Sequence, residues 1–277
     1  MAPSDEHHVA AVVAAQDTGH GTAHDYEKGS PHLRHRSLRS MLEARLRGLV
    51  AGRRASTGGC DVLEVGGGHG TFTRCLLDAG AHVTVTETSA ASAARLRSEL
   101  GSTGRVEVLH DRTGEDVLAA DRQWDLAVMT AVLHHIPDYL SFLDRLVPLV
   151  APGGSLFTAA DPLHYPDMPA RDHWADRGAY LAWRLLQGDY ARGLATRVRR
   201  LRGIHDDTEP SDLVEYHVVR DGVDETAVAR LLDDHFGEVE VFRYWASQAP
   251  LFQRLGEATS MRTDFGVVAT RRLPTRD

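Results

Sequence analysis

"VLEVGGGHGTF", residues Val62 to Phe72, runs four strand-forming residues straight into a cluster of glycines. Glycines at the end of a buried strand mark a place where backbone must come close to something. That something could be the pyrophosphate of a dinucleotide, the phosphates of a nucleotide, or a group with no phosphate. The dinucleotide fingerprint is G-x-G-x-x-G, its third glycine letting the helix pack on the strand. Counted from Gly66, that third position is Thr71, so the fingerprint fails. A P-loop needs G-K-[ST], and the only lysine of the chain is Lys28. What remains is Glu64-x-Gly66-x-Gly68-x-Gly70, with the acid inside the end of the strand.

Outward from this stretch the pattern alternates. Val62–Val65 reads as a buried strand, Phe72–Ala79 as a helix, Val83–Thr86 as a strand and Ala90–Leu100 as an alanine-rich helix. Val106–Leu109 and Leu126–Met129 are further strands. A helix from Asp138 to Val150 ends at "APGG", and Ser155–Ala159 is the next strand. Such alternation predicts an α/β fold, a doubly wound, mostly parallel sheet with helices on both faces. Ahead of it, Ser30 as N-cap, Pro31 in the first turn, and Leu38, Met41, Leu42, Leu46 and Leu49 on one face predict an N-terminal helix. Residues 1–25, small, polar and sprinkled with histidine, read as a mobile arm, so that 26–161 holds the N-terminal helix and the ligand-binding core.

After Asp161 the rhythm breaks. Residues 162–215 predict two helices and no core strand, an insertion after strand five. Ligands bind doubly wound sheets at the carboxyl ends of the strands, and the insertion leaves from such an end, so its expected place is over the substrate site. Residues 216–277 restore strand and helix, and "VEVFRYW" and "FGVVATRR" read as a closing pair of strands.

The totals exclude several classes. The chain has 277 residues, 42% of them hydrophobic and 25% charged, the balance of an ordinary globular protein. A net charge of −8 argues against a nucleic-acid partner. The start carries acids where a signal peptide needs a basic segment, and no apolar run approaches a membrane span. The cysteines, Cys60 and Cys75, have no metal-ligand spacing and read as reduced buried thiols of a cytoplasmic protein. A homodimer is left open.

The glycine motif resembles the first motif of class I S-adenosylmethionine (SAM) methyltransferases, E/D-x-G-x-G-x-G. Further landmarks follow in the family's order: Glu87 ending the second strand, Asp111 in "LHDR", "DLAVMTAVLHHIPD" at the fourth strand, and "LVAPGGSL" before the fifth. The resemblance covers Asp61 to about Asp161. It implies a Rossmann-like methyltransferase fold with SAM as cofactor and S-adenosylhomocysteine as product. Glu64, Gly66, Gly68, Gly70, Thr88, Arg112 and Thr130 would then line the cofactor, with Glu87 accepting from the ribose hydroxyls and Asp111 holding the adenine amino group. Such a ligand has no phosphate, which agrees with the failure of both phosphate motifs. For the carboxylate of its amino acid end the chain offers Tyr26, His32, Arg34 and His35.

Methyl transfer from a sulfonium needs alignment, and a hydroxyl acceptor also needs a base, for which histidine suits neutral pH. His134 and His135 follow strand four and Asp161 follows strand five. These strand ends flank the expected methyl position. The pair resembles that of small-molecule methyltransferases, including sugar O-methyltransferases of antibiotic pathways. The acceptor implied is a small molecule of specialised metabolism, methylated on oxygen ahead of nitrogen or carbon. The alternative is a SAM-binding enzyme of this fold with another reaction, such as cyclisation. We expect His135 to reach the acceptor, Asp161 to orient it, and His164 of "DPLHYP" to lie nearby. One carboxylate in that stretch is too few for magnesium, and no metal is expected. Arg192, Arg197, Arg199, Arg200 and Arg202 read as a solvated helix.

Overall fold

A computed structural model of the chain describes residues 30–186 and 222–274. Elements are numbered in chain order: α1 (Pro31–Arg34), α2 (Arg36–Thr57), β1 (Asp61–Val65), α3 (Thr71–Asp78), β2 (His82–Glu87), α4 (Ala90–Leu100), β3 (Val106–His110), α5 (Glu115–Leu118) and β4 (Trp124–Thr130). Then come α6 (Tyr139–Leu146), β5 (Val150–Pro162), α7 (Ala170–Leu186), α8 (Glu225–Asp233), β6 (Phe236–Tyr244), α9 (Pro250–Glu257) and β7 (Asp264–Arg272).

The seven strands form one sheet in the order β3-β2-β1-β4-β5-β7-β6. The first five in that order are parallel, and β7 runs antiparallel to both β5 and β6. The closing strands are thus present, with the later one inserted between β5 and the earlier one.

Side chains alternate across the sheet, and each strand feeds two cores. Val62, Leu126 and Val128 join the layer built on α2, where Leu38, Leu42, Leu46 and Val50 repeat every four residues. Leu63, Ala127 and Met129 point the other way, toward Leu143, Leu146 and Leu232 on α6 and α8. Both cysteines are buried and unpaired with each other. No helix among the described residues is long and apolar enough to cross a membrane.

The N-terminal helix differs from the expectation in one respect. It breaks at His35, whose backbone is extended (φ −94°, ψ 118°), and restarts at Arg36. His35 is held there by its Nε2, 2.7 Å from the carbonyl of Ser247. Ser30 precedes the first turn as expected, but its backbone carbonyl, not its side chain, accepts from the Leu33 and Arg34 amides.

Of the expected insertion, α7 is the described helix. Asp172 ties it down, accepting from the Arg262 amide at 3.1 Å and from Arg171 Nε at 2.9 Å. The arm at residues 1–25, Tyr26 and the arginine run from Arg192 to Arg202 lie outside the described residues.

Candidate active site

The strand order reverses between β1 and β4, and at such a switch point the helices diverge and leave a crevice at the carboxyl ends. The glycine loop after β1 forms one wall. The amides of Gly66 and Gly67 both donate to the Thr86 carbonyl, at 3.0 and 3.1 Å, which pins the loop to β2. Two of its glycines are required for different reasons. Gly66 has φ +75°, and a Cβ there would sit 2.7 Å from Val132 Cγ2, so this glycine serves packing between the β1 and β4 ends. Gly68 has φ +52° and nothing within 4 Å of a notional Cβ, so its backbone faces open space, as the bed of a ligand must.

Glu64 lies at the base of that loop, 3% exposed, and accepts a 2.6 Å hydrogen bond from Thr73 Oγ1 of α3. Glu87, also buried, spans two backbone groups: Oε2 accepts from the Gly68 amide at 2.7 Å and Oε1 from the Ser89 amide at 3.0 Å. An ionised carboxylate has about four acceptor positions, so two remain for ribose hydroxyls. Asp111 is turned inward: Oδ1 accepts from the Thr113 and Gly114 amides and Oδ2 from the Val117 amide, at 3.3, 2.8 and 2.9 Å. With 2% exposure, its side chain closes the loop before α5 and does not lie open to an adenine. Arg112 is exposed, and Thr88 is half-buried, its carbonyl 3.1 Å from His110 Nε2. The Thr130 hydroxyl, at the carboxyl end of β4, is buried without a hydrogen-bond partner among the described residues.

The N-terminal helix approaches the same wall. His32 stacks on Phe72, in the first turn of α3, with ring centroids 6.2 Å apart, and burial lowers its pKa to about 4. Arg34 is exposed. His35 is committed to Ser247.

The opposite wall carries the titratable pair. Ala131, just past β4, and Ala160, in β5, both adopt left-handed backbone, with φ of 58° and 63°. Non-glycine residues rarely hold that conformation, and two at neighbouring strand ends mark a constrained site. Between them the chain brings His134 Nδ1 within 2.8 Å of Asp161 Oδ1, which also accepts from the His134 amide at 3.1 Å. Thr158 Oγ1 donates to Asp161 Oδ2 at 3.1 Å. The His135 ring lies 4.1 Å from that of His134, tilted by 45°.

This corrects the expected geometry. Asp161 was expected to orient His135, but its carboxylate meets the ring and the amide of His134, because the turn at Leu133–His135 buries Leu133 completely and sets the first histidine toward β5. His164 pairs with Asp167 of its own turn at 2.8 Å. Thr73, Thr158 and Tyr244 were not singled out from the sequence. A threonine in the otherwise apolar "LFTAA" before Asp161 is the one available signal.

Carboxyls gather beyond Asp161. Asp264, opposite Pro162 on β7, has its pKa raised well above the ordinary value by burial, with Asp176 and Asp161 adding to the rise against a bond from Thr263. Asp176 on α7 is pushed up to about 6, also by burial, with Arg177 opposing. No group of three metal-ligating side chains occurs among the described residues.

Residues 63–156 match the family model described as a methyltransferase domain. A ubiquinone biosynthesis O-methyltransferase of Aromatoleum aromaticum is 31% identical over 106 residues, 38% of this chain and 45% of the relative. One from Xylella fastidiosa is 28% identical over 134 residues, 47% of this chain and 52% of the relative. The chain thus spans about half the length of the curated relatives it matches. Among solved structures, the N-methyltransferase NodS of Bradyrhizobium japonicum WM9 with S-adenosylhomocysteine superposes with a TM-score of 0.53 at 16% identity, covering 95% of this chain and 99% of that one. The plantazolicin methyltransferase BamL gives 0.55 at 12% identity, covering 96% and 97%. These structural likenesses establish the fold. The matched methyltransferase domain lies across the glycine loop, both walls of the crevice and the start of β5, and the fold around it is that of the Rossmann-like SAM methyltransferases.

Proposed function

We propose that the protein transfers a methyl group from SAM to the hydroxyl of a small-molecule acceptor, with His134 as the base. The observation that carries this reading is the 2.8 Å contact between His134 Nδ1 and Asp161 Oδ1 beside the switch point. SAM, bound along the glycine loop, supplies an electrophilic methyl on sulfur. The open backbone at Gly68, the carboxylate of Glu87 and the buried Thr130 hydroxyl are the groups suited to hold it. Asp161 accepts from Nδ1, which puts the basic lone pair of the imidazole on Nε2. Nε2 would take the proton of the acceptor hydroxyl as that oxygen gains the methyl group and the sulfur leaves with its bonding electrons. Asp161, itself held by Thr158, stabilises the resulting imidazolium. Alignment supplies the larger share of the rate, up to about 7–11 kcal/mol, and the base about 10²–10⁴-fold.

Helix α7, leaving the β5 end, is the described part of the cover over the acceptor in this reading. Specialised metabolism as the setting, and a cytoplasmic enzyme without nucleic-acid or membrane partners, belong to the same proposal.

The test is formation of S-adenosylhomocysteine on incubation with SAM and panels of hydroxylated and amino-bearing small molecules. Product that depends on acceptor and falls at least a hundredfold in His134→Gln supports the reading. Acceptor turnover without S-adenosylhomocysteine would transfer the protein to the non-methylating class.

A further inference from the structure

The pairing of β5 with β7 slips by one residue where β5 reaches the site: Ala159 lies opposite Gly266, but Asp161, not Ala160, lies opposite Phe265. Ala160 is the extra residue of a bulge, and bulges at the ends of strands re-aim the side chains beside them. Here the side chain re-aimed is that of Asp161, which turns to the His134 ring on the neighbouring strand end. A bulged residue loses its place in the hydrogen-bond ladder, and a buried amide without a partner is costly. The Ala160 amide instead donates to Tyr244 Oη, 2.9 Å away at the end of β6 and so reaching past β7. Ala160 is 6% exposed and Tyr244 8%, so water has little access to replace that bond.

We propose that Tyr244 is a positioning residue for the His134–Asp161 pair, holding the Ala160 bulge that points Asp161 at the imidazole. The proposal rests on the reading of His134 as the base. Three links carry it: phenol to bulge amide, bulge to carboxylate, carboxylate to imidazole. The phenol stays protonated, because burial and the neighbouring Asp264 raise its pKa well above the usual value. The other groups facing the assembly are His135 against His134, Thr158 against Asp161, and Asp264 on β7 with Asp176 beyond it on α7. The cost of the left-handed Ala160 adds a second handle. Glycine adopts that conformation freely, so Ala160→Gly lessens the dependence of the bulge on its tyrosine.

The experiment compares wild type, Tyr244→Phe, Tyr244→Phe with Ala160→Gly, and His134→Gln, all in the full chain. Two readouts are taken: the kcat–pH profile, and the nitrogen NMR shifts of the His134 ring with S-adenosylhomocysteine bound. In wild type the ring is expected as the Nδ1–H tautomer. Tyr244→Phe is expected to mix the tautomers, lower kcat about tenfold and move the acidic limb of the profile to lower pH, with KM for SAM unchanged. The double variant is expected to recover most of both signals. A folded Tyr244→Phe protein with wild-type ring shifts and profile overturns the proposal, as does loss of turnover without any change in the ring. Full activity of His134→Gln would instead refute the base, and the ring shifts would then decide the role of Tyr244 alone.

Discussion

Thr73 donates its hydroxyl to Glu64 across 2.6 Å, and both side chains are buried beneath the glycine loop. Burial pushes the Glu64 carboxyl up to about 7, the Thr73 bond resists, and the charge of Glu87 adds to the rise. The free protein at neutral pH therefore carries a proton on much of its Glu64. An ammonium brought near by the cofactor favours the ionised form. Binding of S-adenosylhomocysteine near neutral pH is expected to release part of a proton, seen by calorimetry as a heat that varies with buffer ionisation enthalpy. Glu64→Gln should abolish that variation; the same variation in the variant would remove Glu64 from the linkage.

His32 makes the opposite contribution to stability. Its pKa falls from 6.5 to about 4 through burial against Phe72. In the window between those values the unfolded chain binds the proton more readily, so stability is full above the upper value and declines as pH falls. The loss amounts to at most about 3 kcal/mol. Glu64 runs the other way: its raised pKa makes stability decline as pH rises from the ordinary carboxyl range through about 7. Denaturant melts across this range should flatten on the acid side in His32→Phe. An unchanged acid limb would show that the ring is not the titrating group.

Glu87 both latches the loop and presents its remaining acceptor positions to the crevice. Glu87→Ala should weaken S-adenosylhomocysteine binding by about 1.5–3 kcal/mol, the value of hydrogen bonds to a charged group. Hydrogen exchange at the Gly68 amide should rise in the same variant. Unaltered affinity with a faster-exchanging loop would leave Glu87 a purely structural latch.

Turnover should separate the two histidines. His134→Ala is expected to lower kcat by about 10²–10⁴-fold with SAM affinity retained, whereas His135→Ala should cost less. Single-turnover measurements with saturating SAM give the comparison. The reverse ranking would return the base to His135 and make the Asp161 contact structural.

The parallel half of the sheet was legible because each of its strands is a short apolar run followed by a turn and a periodic helix, and such signals are local. Glu64, Glu87 and the glycines stand close together in the sequence pattern that carries the resemblance, and the structure gathers them around one loop. The partner of Asp161 was not legible, since it depends on an unpaired residue in β5 and a three-residue turn after Val132, and neither leaves a mark on composition. Asp111 illustrates the limit of position: the right residue type stands at the right strand end, yet the amides of Thr113, Gly114 and Val117 reach its carboxylate and turn it inward. Tyr244 lies in "VEVFRYW", where the pattern predicts a closing strand and gives its hydroxyl no role. Its hydroxyl gains meaning only when β6 and β5 are seen to flank the same strand.

The insertion of β7 between β5 and β6 sets an order of events during synthesis. At the moment β6 leaves the ribosome its one neighbour in the sheet does not yet exist, and β5 still has a bare edge. Both wait for the nine residues Asp264–Arg272, which must thread the gap with ladders to each side. Pairings over such sequence separations form slowly and leave strand edges exposed meanwhile. The nascent chain can therefore assemble its glycine loop early, while the bulge that aims Asp161 has no antiparallel partner until β7 arrives.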